Sequence, residues 1–138
     1  MSISPVNRYR LILTAVLALT IIAASIHQVN AADSLVTGKY IFSSGADIIL
    51  NLTIQNPAPA NLIVEQYLSP ENRIIDTSPQ AKKIDNNQGN AKWLFKNTRN
   101  GVLSLSIHLD SPLVGDISAI VRYRTPQGGA FTELQITP

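Results

Sequence analysis

Residues 89–110, GNAKWLFKNTRNGVLSLSIHLD, decide the fold. They predict a strand carrying the chain's only tryptophan, Trp93, then a turn at Asn100-Gly101 and a second, longer strand. In that second strand Leu103, Leu105, Ile107 and Leu109 alternate with Ser104, Ser106 and His108. Successive side chains of a β-strand point to opposite faces, so a period of two describes a strand with one face in a core and the other in water. A row of aliphatics needs an apolar layer opposite it. The indole of Trp93 is the largest single piece available.

Working outward, the same pattern recurs. Residues 46–56 show the cleanest alternation, with Ile48, Leu50, Leu52 and Ile54 against Asn51, Thr53 and Gln55. Residues 35–42 (LVTGKYIF) predict a preceding strand with Val36, Tyr40 and Phe42 on one side, and Ser43-Ser44-Gly45 supplies the turn. Asn56-Pro57-Ala58-Pro59 stops the second strand, because proline lacks the ladder N–H and restricts the residue before it. Residues 61–68 (NLIVEQYL) form a third strand, turned by Ser69-Pro70-Glu71-Asn72, and residues 73–76 a short edge strand. Residues 78–83 have neither period, and their proline and two lysines suit a protected edge. Residues 85–90 are a turn by composition. After Ser111-Pro112 and Gly115, residues 116–124 place Ile117, Ala119, Val121 and Tyr123 opposite Ser118, Ile120, Arg122 and Arg124. A loop at 125–129 and a last strand at 130–137 complete the chain. Seven or eight short antiparallel strands with turn residues between them predict an all-β sandwich. Its expected core is Trp93 with Leu50, Leu52, Leu103, Leu105, Ile107, Val121 and Tyr123.

The N-terminus reads differently. Arg8 and Arg10 precede an apolar run at 11–26, and a more polar stretch ends in Val29-Asn30-Ala31. This is the layout of a secretory signal peptide, expected as a helix over residues 1–31 with cleavage after Ala31 or, alternatively, Ala32. The apolar run is short for a spanning helix, which needs about 20 apolar residues; retention as an anchor is the competing reading. Residues 32–138 are then one exported sandwich domain, in a secreted, periplasmic or cell-surface setting. About 107 residues suffice for a self-sufficient core, and with no cysteine in the chain there is no disulfide to help.

Charge narrows the partners. The chain carries 11 Lys/Arg against 9 Asp/Glu. Removing Arg8 and Arg10 with the leader balances the exported part, so the basic pI of about 9.1 is no sign of nucleic-acid binding. Membrane contact is expected only through a retained leader.

A family resemblance accompanies these residues. Gly45-Ala46-Asp47, Leu52-Thr53-Ile54-Gln55-Asn56-Pro57, Ala60-Asn61-Leu62-Ile63-Val64 and Leu68-Ser69-Pro70 follow one another as in the DUF11 conserved-repeat β-sandwich domain. Gly89-Asn90-Ala91-Lys92-Trp93, with Asn100-Gly101 before an alternating strand, is similar too. The family's aspartate before the Leu-Pro-like turn and its glycine after it are replaced by Gln66 and Glu71-Asn72, which makes this a divergent member. The resemblance implies an immunoglobulin-like or fibronectin-like domain that serves as a spacer or adhesive module on the cell envelope, without catalysis.

The residues themselves offer little chemistry. His108 is the only histidine after the leader, and a lone histidine without cysteine builds no ordinary zinc site. Residues 85–90 (DNNQGN) are rich in oxygen ligands, but the glycine falls fifth and no glutamate follows at the twelfth position, so the calcium-loop pattern fails. No Gly-x-Ser-x-Gly elbow is present. Scattered carboxylates leave open a glycosidase-like acid pair. The candidate interaction residues are basic: Lys92, Lys96 and Arg99 along the tryptophan strand and its turn, with Arg122 and Arg124 on another outer face. If those strands are neighbours they form a stripe for an anionic glycan or protein, but a solvated sheet face is the favoured reading. Trp93 is read as core, with a sugar platform as the alternative. No catalytic residue, metal or cofactor is assigned. The expected function is a non-enzymatic module for protein or glycan interaction, adhesion or support at the envelope. The alternatives are a surface-fibre subunit joined by strand addition and a carbohydrate-binding or carbohydrate-active module.

Overall fold

Alternating aliphatics become strands wherever the pattern is sustained, and two antiparallel sheets result. The structure, a computed structural model, describes residues 34–138, and a compact unit spans Asp33–Pro138. The leader read at residues 1–31 lies outside the described residues. Nine strands follow in order: β1 (Val36–Ser44), β2 (Asp47–Ile54), β3 (Asn61–Leu68), β4 (Ile74–Ser78), β5 (Lys83–Asp85), β6 (Asn90–Lys96), β7 (Gly101–Leu109), β8 (Ile117–Tyr123) and β9 (Thr132–Ile136). One sheet has the order β1-β2-β7-β4, the other β5-β6-β3-β8-β9. The chain is all-β among the described residues.

The strand count exceeds the expected seven to eight because a three-residue strand, β5, forms at the end of the stretch that showed no period. It pairs with β6 through Lys83–Lys92, Ile84–Ala91 and Asp85–Asn90. Three residues are too few for alternation to show. A second difference lies in β1. The register shifts between Tyr40 and Phe42, so that Phe42 pairs with Ile49 and its ring is 46% exposed instead of lying on the side of Val36 and Tyr40. An extra residue in one strand reverses the faces of all that follow.

The core lies between the sheets. Trp93, Leu50, Leu52, Leu105, Ile107, Val121 and Tyr123 are buried there. Leu103 packs against the same cluster but is only half-buried, because it lies near the start of β7 beside the loop that precedes it. On one flank the sheets approach until a Cβ at Gly38 would collide with Ile136 and Leu52, so the space between β1 and β9 is closed by the absence of a side chain. On the opposite flank the chain crosses from β4 to β5, and Trp93 holds the crossing: its indole Nε1 donates to the Pro79 carbonyl at 2.8 Å. The Asn86 side chain then mimics a strand. Its Oδ1 accepts from Ile74 N at 2.8 Å and its Nδ2 donates to Ile74 O at 3.2 Å.

Two more amides close the interior. Gln66, fully buried, accepts from the Tyr40 hydroxyl at 2.9 Å and donates to Ser118 O at 2.9 Å and Tyr67 O at 3.1 Å. Burial pushes the Tyr40 phenol up to about 12, with the Gln66 bond partly opposing. Asn72 ties the β3–β4 turn to the β7–β8 loop through Ser69 O, Val114 O and Val114 N.

Replacing Trp93 by alanine is expected to lower unfolding stability by about 3–5 kcal/mol, as for a large aromatic removed from a core. Trp93→Phe keeps most of the volume but orphans the Pro79 carbonyl and should cost less. Asn86→Ala should cost about 1–3 kcal/mol, since it leaves both Ile74 groups unmade. Denaturant titrations followed by circular dichroism give all three values.

Candidate functional site

The outer face of the five-stranded sheet gathers most of the charge that sequence reading singled out. β3 runs between β6 and β8, pairing with both, so those two strands are not neighbours. Glu65, in the middle of β3, consequently stands between Lys92 and Arg122. Lys92 Nζ lies 2.7 Å from Glu65 Oε1, and Arg122 Nη1 lies 2.6 Å from Glu65 Oε2. Arg122 Nε also meets Glu133 Oε2 on β9 at 2.7 Å. The Tyr67 hydroxyl adds a bond to Glu65 at 2.9 Å. The basic stripe that neighbouring strands would have made does not form here: across four strands the signs alternate as Lys92, Glu65, Arg122, Glu133.

Electrostatics follow the geometry. The Lys92 ammonium, opposed by partial burial and aided by Tyr67 and Arg122, holds the Glu65 carboxyl down at about 2. Its two carboxylate partners raise the Arg122 guanidinium above the ordinary arginine range. Burial first, and then the bond to Glu65, raise the Tyr67 phenol. The row is a cross-strand network of the kind that pins sheet register.

The remaining basic residues collect toward one end of this sheet. Lys96 at the end of β6 and Arg124 just after β8 line one hollow of about 350 Å³, together with Asn61, Ile63, Leu94 and Phe131. The Arg124 guanidinium lies 4.2 Å from the centre of the Phe131 ring, a cation–π stack. Arg99 lines an adjoining hollow of about 250 Å³ that also includes Lys96. Among the described residues Lys96, Arg99 and Arg124 take part in no ion pair.

The other sheet carries a feature that sequence reading missed. His108 Nδ1 lies 2.7 Å from Asp47 Oδ1, both solvent-facing, and Asp76 pairs with His108 on the opposite side. The residues bound a hollow of about 350 Å³ with Phe42, Ile49, Ser78 and Ser106. The signal was faint: Asp47 and His108 lie 61 positions apart, and only strand register brings them together. A larger hollow, about 710 Å³, opens among Ser43, Tyr67, Leu113, Asp116 and Thr137.

The asparagine-rich turn of residues 85–90 uses its oxygens internally. Asp85 Oδ1 accepts from Asn87 N and Gln88 N, and Asn86 is engaged with Ile74. Among the described residues no group of three or more histidine or acidic side chains is placed to hold a metal ion. Trp93 is 2% exposed, which removes it as a sugar platform. Comparison of the chain with family models, curated proteins and solved structures finds no match.

The Glu65 row sets an acid limit. A carboxyl held at about 2 when folded and near 4.5 when unfolded contributes stability that is complete above about 4.5 and lost as pH falls toward 2. The row faces solvent, so screening limits the contribution to about 1 kcal/mol. Glu65→Gln should lower stability at neutral pH and flatten its fall between those limits; unfolding titrations across that pH range measure the difference, which should shrink in high salt.

Proposed function

We propose that this chain is an exported, non-enzymatic β-sandwich module that works through its surface at the cell envelope. The observation that carries the reading is how the polar side chains are employed. Gln66, Asn72 and Asn86 join loops and sheets, Asp85 shapes a turn, and Glu65 with Glu133 neutralises Lys92 and Arg122. These groups are committed to the fold, and the Asp47–His108 pair beside Asp76 lies on the solvent-facing side of the other sheet. The exposed remainder is a set of unpaired cations, carboxylates and apolar side chains suited to contact with another macromolecule.

The finer classification is immunoglobulin-like, as a divergent relative of the DUF11 conserved-repeat domain. Support comes from strand order: β1-β2-β7 in one sheet opposes β3-β8-β9 in the other, which corresponds to strands A, B and E facing C, F and G. β4, β5 and β6 then fill the path between the third strand and the fifth of that scheme, widening both sheets. Export rests on the basic-then-apolar leader of residues 8–26 and the small residues that follow.

Expression of the full chain with a C-terminal tag, followed by fractionation and N-terminal mass analysis, tests the reading. The expected product lies outside the cytoplasm and begins at Ala32 or Asp33. An intact leader in the membrane fraction would keep the export reading and make the module tethered. Retention in the cytoplasm with residues 1–31 intact would overturn it.

A further inference from the structure

Strand direction sorts the charges to opposite ends of the sandwich. At one end β2, β6 and β8 finish and β3, β7 and β9 begin. That end carries Lys96, Arg99 and Arg124, all exposed and without a carboxylate partner among the described residues. Its nearest acid, Glu133, is engaged by Arg122. The opposite end, where β2, β6 and β8 begin, carries Asp47, Glu71, Asp76, Asp85, Asp110 and Asp116. Asp47 opens β2, Asp85 closes β5, and Asp110 and Asp116 flank the β7–β8 loop. Arg73 and Lys83, the latter 3.9 Å from Asp85, offset part of this charge, and an acidic excess remains.

Both ends also present apolar surface close to their charges. Val102 is 66% exposed and Phe131 51% at the basic end; Val114 is 53% exposed and Ile75 57% at the acidic end. A fold that balances its charge overall and still separates it end from end is complementary to a copy of itself. We infer that the acidic end of one copy docks on the basic end of the next, with carboxylates of the β7–β8 loop meeting Lys96 and Arg124 around the Ile63–Leu94 hollow. Such a contact uses two different surfaces, so it does not close on itself as a symmetric pair and builds rings or open rows of more than two copies. The β-sheet edges play no part in it, and it depends neither on export nor on the immunoglobulin-like classification.

Sedimentation of the chain from Asp33 onward, which contains the whole described core, tests this. At about 0.01 M salt, where charges are felt over about 30 Å, the average mass should keep rising with concentration beyond that of a dimer. At about 1 M salt, with screening within about 3 Å, it should return to the monomer. The variant Lys96→Glu/Arg99→Glu/Arg124→Glu should bind itself at least about tenfold more weakly, since it sets like charges against each other. Glu71→Lys/Asp110→Lys/Asp116→Lys should do the same. Mixing the two should restore association, because the reversed ends complement each other. All six positions are exposed, so circular dichroism is expected to report an unchanged fold; should either triple variant unfold, the neutral pair Lys96→Gln/Arg124→Gln takes its place, with weaker association expected. A monomer at low salt, association indifferent to salt or to the substitutions, or capture by a polyanion such as heparin while the chain remains monomeric would each overturn the inference.

Discussion

Trp93 faces two demands at once: its ring must leave water, and its N–H must keep a partner. The fold meets both by bringing the Pro79 carbonyl over the edge of the core, and that places the crossing between β4 and β5 where the two sheets come together. Lys82 N donates to Lys92 O at 2.8 Å in the same region, so the returning chain is already aligned to pair with β6. The Asn86 amide fastens the far end of that excursion to β4. A single indole thereby sets the route of the part of the chain with the weakest strand signals of its own.

Alternation made most of the sandwich readable. β3 has the bounds its sequence suggests, and β2, β7 and β8 differ only at their ends, because their inner faces alternate with polar outer ones and are mostly aliphatic, broken only by Gln66 in β3 and ending in Tyr123 in β8. What escaped reading depends on tertiary geometry. The displaced Phe42 needs knowledge of how β1 registers on β2, and β5 exists only because β6 offers it a partner. The surface was harder still. Lys92 and Arg122 were visible as basic residues on outer faces, but nothing local says that β3 will lie between them carrying Glu65. Strand order in space is a long-range property, and it decides whether like charges stand together or are separated by an opposite one.

That order divides the cations into two populations. Those in the middle of the sheet are held in cross-strand pairs that orient side chains and maintain register. Those at the end of β6, in the β6–β7 loop and after β8 lie beyond the reach of Glu65 and Glu133 and remain available. Several aspartates of the opposite end lie in or beside turns, where the Asp side chain bonds local backbone, as Asp85 does to Asn87 N and Gln88 N. The polarity of the molecule is thus partly a by-product of where its turns lie.

The interior links between loops and sheets are built from carboxamides: Gln66, Asn72 and Asn86, with the phenol of Tyr40 beside them. A carboxamide neither gains nor loses a proton in ordinary water, unlike the aspartate that the resembled family places near Gln66. Acidification of the surroundings therefore finds no lever within these carboxamide joints and acts on the outer ladder through Glu65.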